Sequence, residues 1–133
     1  MATIREQTWL DAPADQVWKT VGDPAAVHEW VPSLRSCVMD GALRRCELDR
    51  GGVVVEEILT VDDTLRRIQY GVREGLPVES HLGTVDVIEV GPARCLLVYG
   101  TDITPDAAAG PVRSAIRASL RVLEARFGAS PPA

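Results

Sequence analysis

The sequence predicts an α+β domain in which a curved antiparallel sheet of about seven strands is closed by one long C-terminal helix around an internal cavity. Three observations predict it. Strand-type segments follow one another almost unbroken from Arg35 to Ile103, a long amphipathic helical pattern comes only after Thr104, and several strands set a polar or charged side chain on an otherwise apolar face. An unpaired polar group is costly in a solid core and useful on a cavity wall. The chain therefore reads as built to hold a small molecule.

The elements follow in order. Thr3 to Leu10 alternates as a strand whose inward face the pattern leaves open. Asp11-Ala12-Pro13 caps a short helix carrying Val17, Trp18 and Val21, which Gly22 stops. Asp23-Pro24 starts a second short helix with Ala26, Val27 and Trp30, ended by Pro32. Hairpin strands come next: 35–40, 43–49, a turn at Arg50-Gly51-Gly52, then 53–61, a turn at Asp62-Asp63-Thr64, and 65–72. After the Gly75-Leu76-Pro77 corner, His81 to Val90 and Arg94 to Ile103 supply two more strands. Val112, Ile116, Leu120, Leu123 and Phe127 then recur at helical spacing, with Gly110-Pro111 shortening or kinking the first turn. The order is β-α-α-β-β-β-β-β-β-α, and the last helix is the only element long enough to cover the sheet's apolar face.

Length and charge narrow the function. The 133 residues suit one domain, read as 1–128 with a disordered tail at 129–133. A net charge of −5 argues against nucleic acid, which demands a concentrated basic face. The N-terminal stretch lacks the apolar core of a leader, and no apolar run reaches the roughly 18 residues of a membrane span, so no membrane insertion and a cytoplasmic location are expected. Cys37, Cys46 and Cys95 lie apart without metal or redox spacing, which predicts reduced thiols. Nucleophile-elbow, phosphate-loop, dinucleotide and zinc-protease signatures are absent from the sequence.

Trp30-Val31-Pro32, Gly41-Ala42-Leu43-Arg44, Gly52 with Glu56, Asp62, Tyr70 and Leu76-Pro77 carry, in their order and spacing, a resemblance that covers nearly the whole chain. The chain resembles the START-related and Bet v 1-like superfamily, in particular bacterial polyketide cyclase/dehydrase-like and lipid-transport-like members. The resemblance implies a helix-grip fold with a deep cavity between sheet and helix. It does not choose between an enzyme and a carrier, because function lives in the site rather than in the fold.

Strand parity nominates the groups that reach such a cavity. Arg44 shares a face with Cys46 and Leu48; Tyr70 shares one with Ile68 and Val72; His81 shares one with Gly83, Val85 and Val87. Around Glu56 both faces are apolar, and it is the resemblance that favours Glu56 inward. The resemblance also sets His28, Trp30 and Val31 near the cavity mouth, with Trp30 touching the ligand. On the cyclase reading, Arg44 holds a carbonyl or enolate oxygen, Glu56 acts as base or acid, Tyr70 or His81 moves protons, and Ile58, Val85, Ile116 and Leu120 shape the apolar wall. That chemistry requires neither metal nor organic cofactor. Other readings stand beside these: Arg44 and Glu56 as a plain ion pair, Tyr70 as a core aromatic, His28 and His81 as ordinary histidines. The expected partner is a small hydrophobic, oxygen-rich molecule to be cyclised and dehydrated, or one merely carried. An edge strand or the short helices offer a surface for homodimerisation.

Overall fold

A computed structural model of the chain describes residues 1–130. Residues 131–133, part of the expected tail, lie outside the described residues, while Ser130 Oγ donates to Asp11 Oδ2 at 2.6 Å. The elements are β1 (Ala2–Leu10), α1 (Ala14–Val21), a 3-10 helix (Pro24–Glu29), β2 (Leu34–Asp40), β3 (Leu43–Leu48), β4 (Val53–Asp62), β5 (Arg67–Glu74), β6 (Ser80–Gly91), β7 (Arg94–Thr104), a single 3-10 turn (Asp106–Ala108) and α2 (Ala109–Phe127). The order is the expected one, corrected in one respect: the second short helix is 3-10 rather than α. Asp23 starts it, its Oδ1 accepting from the Ala25 N–H at 3.0 Å.

All seven strands form one antiparallel sheet in the order β1-β7-β6-β5-β4-β3-β2. From β2 to β7 each strand pairs with its chain neighbour, so that part is a meander of hairpins. Gly51 and Gly52, at φ 96° and 93°, make the β3–β4 turn in a backbone region that other residues enter only with strain. Two register shifts fall between β4 and β5, at Val55/Glu56 and Ile58/Thr60. Each extra residue bends and twists its strand, which helps curl the sheet about its concave face.

The facing of β1 is settled by burial: Ile4, Thr8 and Leu10 point inward. Its Glu6 receives Arg117 of α2 at 2.8 Å, and Thr8 donates to Glu124 of α2 at 2.9 Å. These bonds moor the helix on one half of the sheet, where it packs against β1 and β7. Leu123, Leu97, Ile4 and Leu10, with Val17 and Val21 of α1, belong to one core cluster and are each at most 1% exposed. The other half of the concave face, from β3 to β5, is left for a cavity. No described helix is long and apolar enough to cross a membrane.

The reduced-thiol expectation is overturned for two of the three cysteines. Cys37 on β2 and Cys46 on β3 stand directly opposite in the hairpin register and are joined by a disulfide, while Cys95 is free and buried. Linear spacing hides this, because it is the hairpin that brings two residues nine apart to one rung. Reducing the bond should lower unfolding stability by about 2 to 3 kcal/mol, the chain-entropy value for a loop of this size. Urea denaturation with and without reductant checks it, and a Cys37→Ala variant should lose all sensitivity to reductant.

Candidate functional site

A cavity of about 330 Å³ lies between the β3–β5 half of the sheet and the first turns of α2. That volume is at the small end for ligand pockets. Most of its wall is apolar, from Val27 and Val31 on one side to Val112, Ala115 and Ile116 of α2 on the other. Into this wall the sheet sets Arg44, Tyr70 and His81, which parity nominated, Glu56, which the resemblance favoured, and Tyr99, which neither did.

Arg44 and Glu56 are cross-strand partners on β3 and β4. Arg44 Nε donates to Glu56 Oε1 at 2.9 Å, Nη2 lies 2.8 Å from the same oxygen, and Nη1 donates to the Pro24 carbonyl at 2.9 Å. The pair is almost wholly buried, with side chains 2% and 9% exposed. Arg44 is thus gripped by the protein's own oxygens. Both of its bonds to Glu56 fall on Oε1, and among the described residues Oε2 receives none. Burial pushes the Glu56 carboxyl above its usual range, and the pull of Arg44 offsets this only in part.

Tyr70 extends between the sheet and Arg44, whose guanidinium carbon stands 5.2 Å from the ring centroid. Its hydroxyl hydrogen-bonds that of Tyr99 on β7. Burial raises both phenols, Tyr70 well above its ordinary value and Tyr99 to about 12, so both stay neutral near pH 7. In such a pair one hydroxyl donates to the other, and the second proton is left to point elsewhere. The Tyr70 ring lies over Gly83, its cross-strand partner: a Cβ there would come within 2.6 Å of ring carbons. Glycine is what lets the ring lie flat on β6.

His81 accepts the Val72 N–H at Nδ1, 3.3 Å away, which leaves its own proton on Nε2. Burial, aided by Arg73, lowers its pKa to about 4, so it is neutral at physiological pH. Its ring stands 5.4 Å from that of Tyr70.

Of the eight expected ligand contacts, Val31 and Ile116 line the cavity, and the other six do not. His28 is one residue past Val27 in a helix of three residues per turn, which rotates it away from the wall. Trp30 is buried behind the wall, its ring tilted against Tyr99 at 5.8 Å. Cys46 faces inward as expected, but its sulfur is spent on Cys37. Ile58 is only partly buried and lies two residues past Glu56, where the lining on β4 ends. Val85 lies past Gly83, so the Tyr70 ring seals it into the core. Leu120 follows Ser119, the last α2 residue on the wall, and is packed into the core instead. Tyr99 was missed, although Cys95, Leu97, Tyr99, Thr101 and Ile103 alternate strictly inward and would have pointed to it.

A family model described as polyketide cyclase/dehydrase and lipid transport matches residues 1–128. Among solved structures the chain is similar to XoxI from Bacillus cereus (TM-score 0.90, 21% identity, 96% of each chain). It is also similar to a START superfamily protein from Mycobacterium smegmatis (TM-score 0.75, 15% identity, 94% of this chain and 96% of that one). The di-domain ARO/CYC protein BexL of the BE-7585A biosynthetic pathway matches as well (TM-score 0.77, 21% identity, 94% of this chain and 46% of that one). These likenesses establish the helix-grip fold. No curated protein matches the sequence.

Two predictions follow from the geometry. Arg44→Ala leaves the Glu56 carboxyl buried without its countercharge and should cost about 3 to 5 kcal/mol in urea denaturation, whereas Arg44→Met with Glu56→Leu should recover most of that loss. His81 is neutral in the folded chain down to about pH 4, while the unfolded chain takes up this proton near 6.5. The stability that neutral His81 contributes is therefore present above 6.5 and lost as pH falls toward 4, on the order of 3 kcal/mol in all. Glu56, raised, works in the opposite sense over the same acid range, so the His81 share is read as the difference between wild type and His81→Asn across pH 4 to 7. A difference that stays flat would refute it.

Proposed function

The chain belongs to the polyketide cyclase/dehydrase and lipid transport family, and on that premise we propose that its cavity takes up a small hydrophobic, oxygen-bearing molecule and catalyses its cyclisation with loss of water. The observation that carries this reading is the Glu56 carboxylate, which among the described residues keeps one oxygen free of bonds on a mostly apolar wall shared with the Tyr70–Tyr99 hydroxyl pair.

The chemistry asks for a base, a holder of developing negative charge, and a shape. Glu56 Oε2 takes a proton from a carbon flanked by carbonyls, and its raised pKa makes it a stronger base than a solvated carboxylate. The free proton of the Tyr70–Tyr99 pair hydrogen-bonds the enolate oxygen that forms. The enolate carbon attacks a second carbonyl of the same molecule, and the new alkoxide takes a proton from Glu56. Glu56 then removes a further α-proton and passes it to the departing hydroxyl, which leaves as water and frees the carboxylate for the next turnover, with His81 Nε2–H as a hydrogen-bond donor to oxygen. Arg44, its bonds spent on Glu56 and Pro24, is a positioning residue: it aims the carboxylate, which fits the ion-pair reading of the sequence and not the oxygen-holding one. The small cavity favours a compact substrate whose reacting carbons are pressed together.

A second reading, a non-catalytic carrier, is favoured by one observation: the two tyrosine hydroxyls are already bonded to each other within the protein, which leaves a single O–H for a ligand and suits a wall that meets mostly apolar surface. The experiment incubates the protein with small-molecule extract of its source organism and follows bound and released masses. Wild type should consume a compound and release one lighter by water, and Glu56→Gln should slow this by about 10²-fold or more while still retaining the compound. Retention without conversion by both proteins would overturn the enzyme reading in favour of the carrier.

A further inference from the structure

The cavity has a neighbour. A second chamber of about 330 Å³ lies between the corner after β5 and the 3-10 turn that precedes α2. The two chambers share Arg50, Leu76, Pro111 and Val112, which form a neck between them. Every other residue around the second chamber is proline, alanine or valine. Arg50 is thus its only charged side chain. It sits at the tip of the β3–β4 hairpin, held out by the glycine turn that follows, and among the described residues it makes no ion pair. The adjacent Asp49 also faces the main cavity, but its carboxylate lies 4.0 Å from Arg35 on the neighbouring strand.

A molecule long enough to fill the main cavity and reach the neck covers Arg50 with apolar surface on both sides. Covering a cation strips it of water, and a neutral ligand returns nothing for that loss. A ligand that places an anion at the neck turns the same burial into a charge-assisted contact, which a guanidinium can make to both oxygens of a carboxylate. We propose that the ligand is an amphipathic carboxylic acid: its apolar body fills the main cavity, its carboxylate rests on Arg50 at the neck, and the second chamber receives what extends beyond. The proposal rests on the reading that the cavity takes a hydrophobic small molecule, and it deepens that reading by naming the ligand's polar end.

The test uses cis-parinaric acid and its methyl ester, fluorescent probes of one shape and different charge. The acid should bind wild type about tenfold more tightly than the ester at low salt, and the preference should shrink as salt screens the neck. Arg50→Gln should abolish the preference by weakening the acid alone, and Arg50→Lys should keep most of it. Equal binding of the two probes by wild type, or equal weakening of both by Arg50→Gln, would overturn the proposal. The probe preference is read on wild type and the Arg50 variants alone, so a failed conversion assay leaves this result standing. If neither probe binds and no extract compound is retained, the cavity reading and this proposal fall together.

Discussion

The buried pair of Arg44 and Glu56 is the constraint around which the rest of the site is arranged. Two charges on the concave face cannot be left to an apolar helix, because ions removed from water must find each other and must find further donors and acceptors. The β3–β4 register supplies the first requirement by setting the two residues on one rung. The 3-10 helix supplies the second, its Pro24 carbonyl accepting the remaining Arg44 contact. Tyr70 then lies against the guanidinium, and Gly83 exists at the one place where that ring needs the sheet to be bare.

This arrangement explains why the concave face divides into a solid half and a hollow half. On the β1–β7 side, Glu6 and Thr8 tie α2 down and apolar side chains fill the space. On the β3–β5 side the helix stands off, and Tyr70 marks the border: Val85 behind it is core, His81 in front of it is wall. Membership of a family that spans cyclases, dehydrases and lipid carriers fits such a design, since the fold fixes the hollow and the few polar groups on its wall decide what happens there.

Much of this was legible in the residues. Turn signals and alternation located every strand, and parity placed Arg44, Tyr70 and His81 on the cavity side. What escaped depended on distance rather than pattern. The facing of β1 could not be read because Trp9 lies outward, under the Arg94 guanidinium at 5.1 Å, where a hydrophobic scale expects an inward ring. Trp30 looked like a ligand platform, yet it packs behind Tyr99, and no one-dimensional signal separates a wall from the layer behind it. Inward parity likewise admitted Val85 and Cys46, because it tells which side of the sheet a residue faces and not whether a ring or a sulfur already occupies the space. Tyr99 was the avoidable omission, since its strand alternates as cleanly as any.

The strand order carries a consequence for how the domain comes together. From β2 to β7 every pairing closes a short loop, but β1 lies at the far edge against β7, with Ala2 opposite Ile103. β1 must therefore wait for β7, because its loop-closure entropy is met only when the meander beside it already stands. The helix that caps the hollow is fastened to that same strand. The internal chamber is thus a late product of assembly, shaped only when β1 has paired with β7.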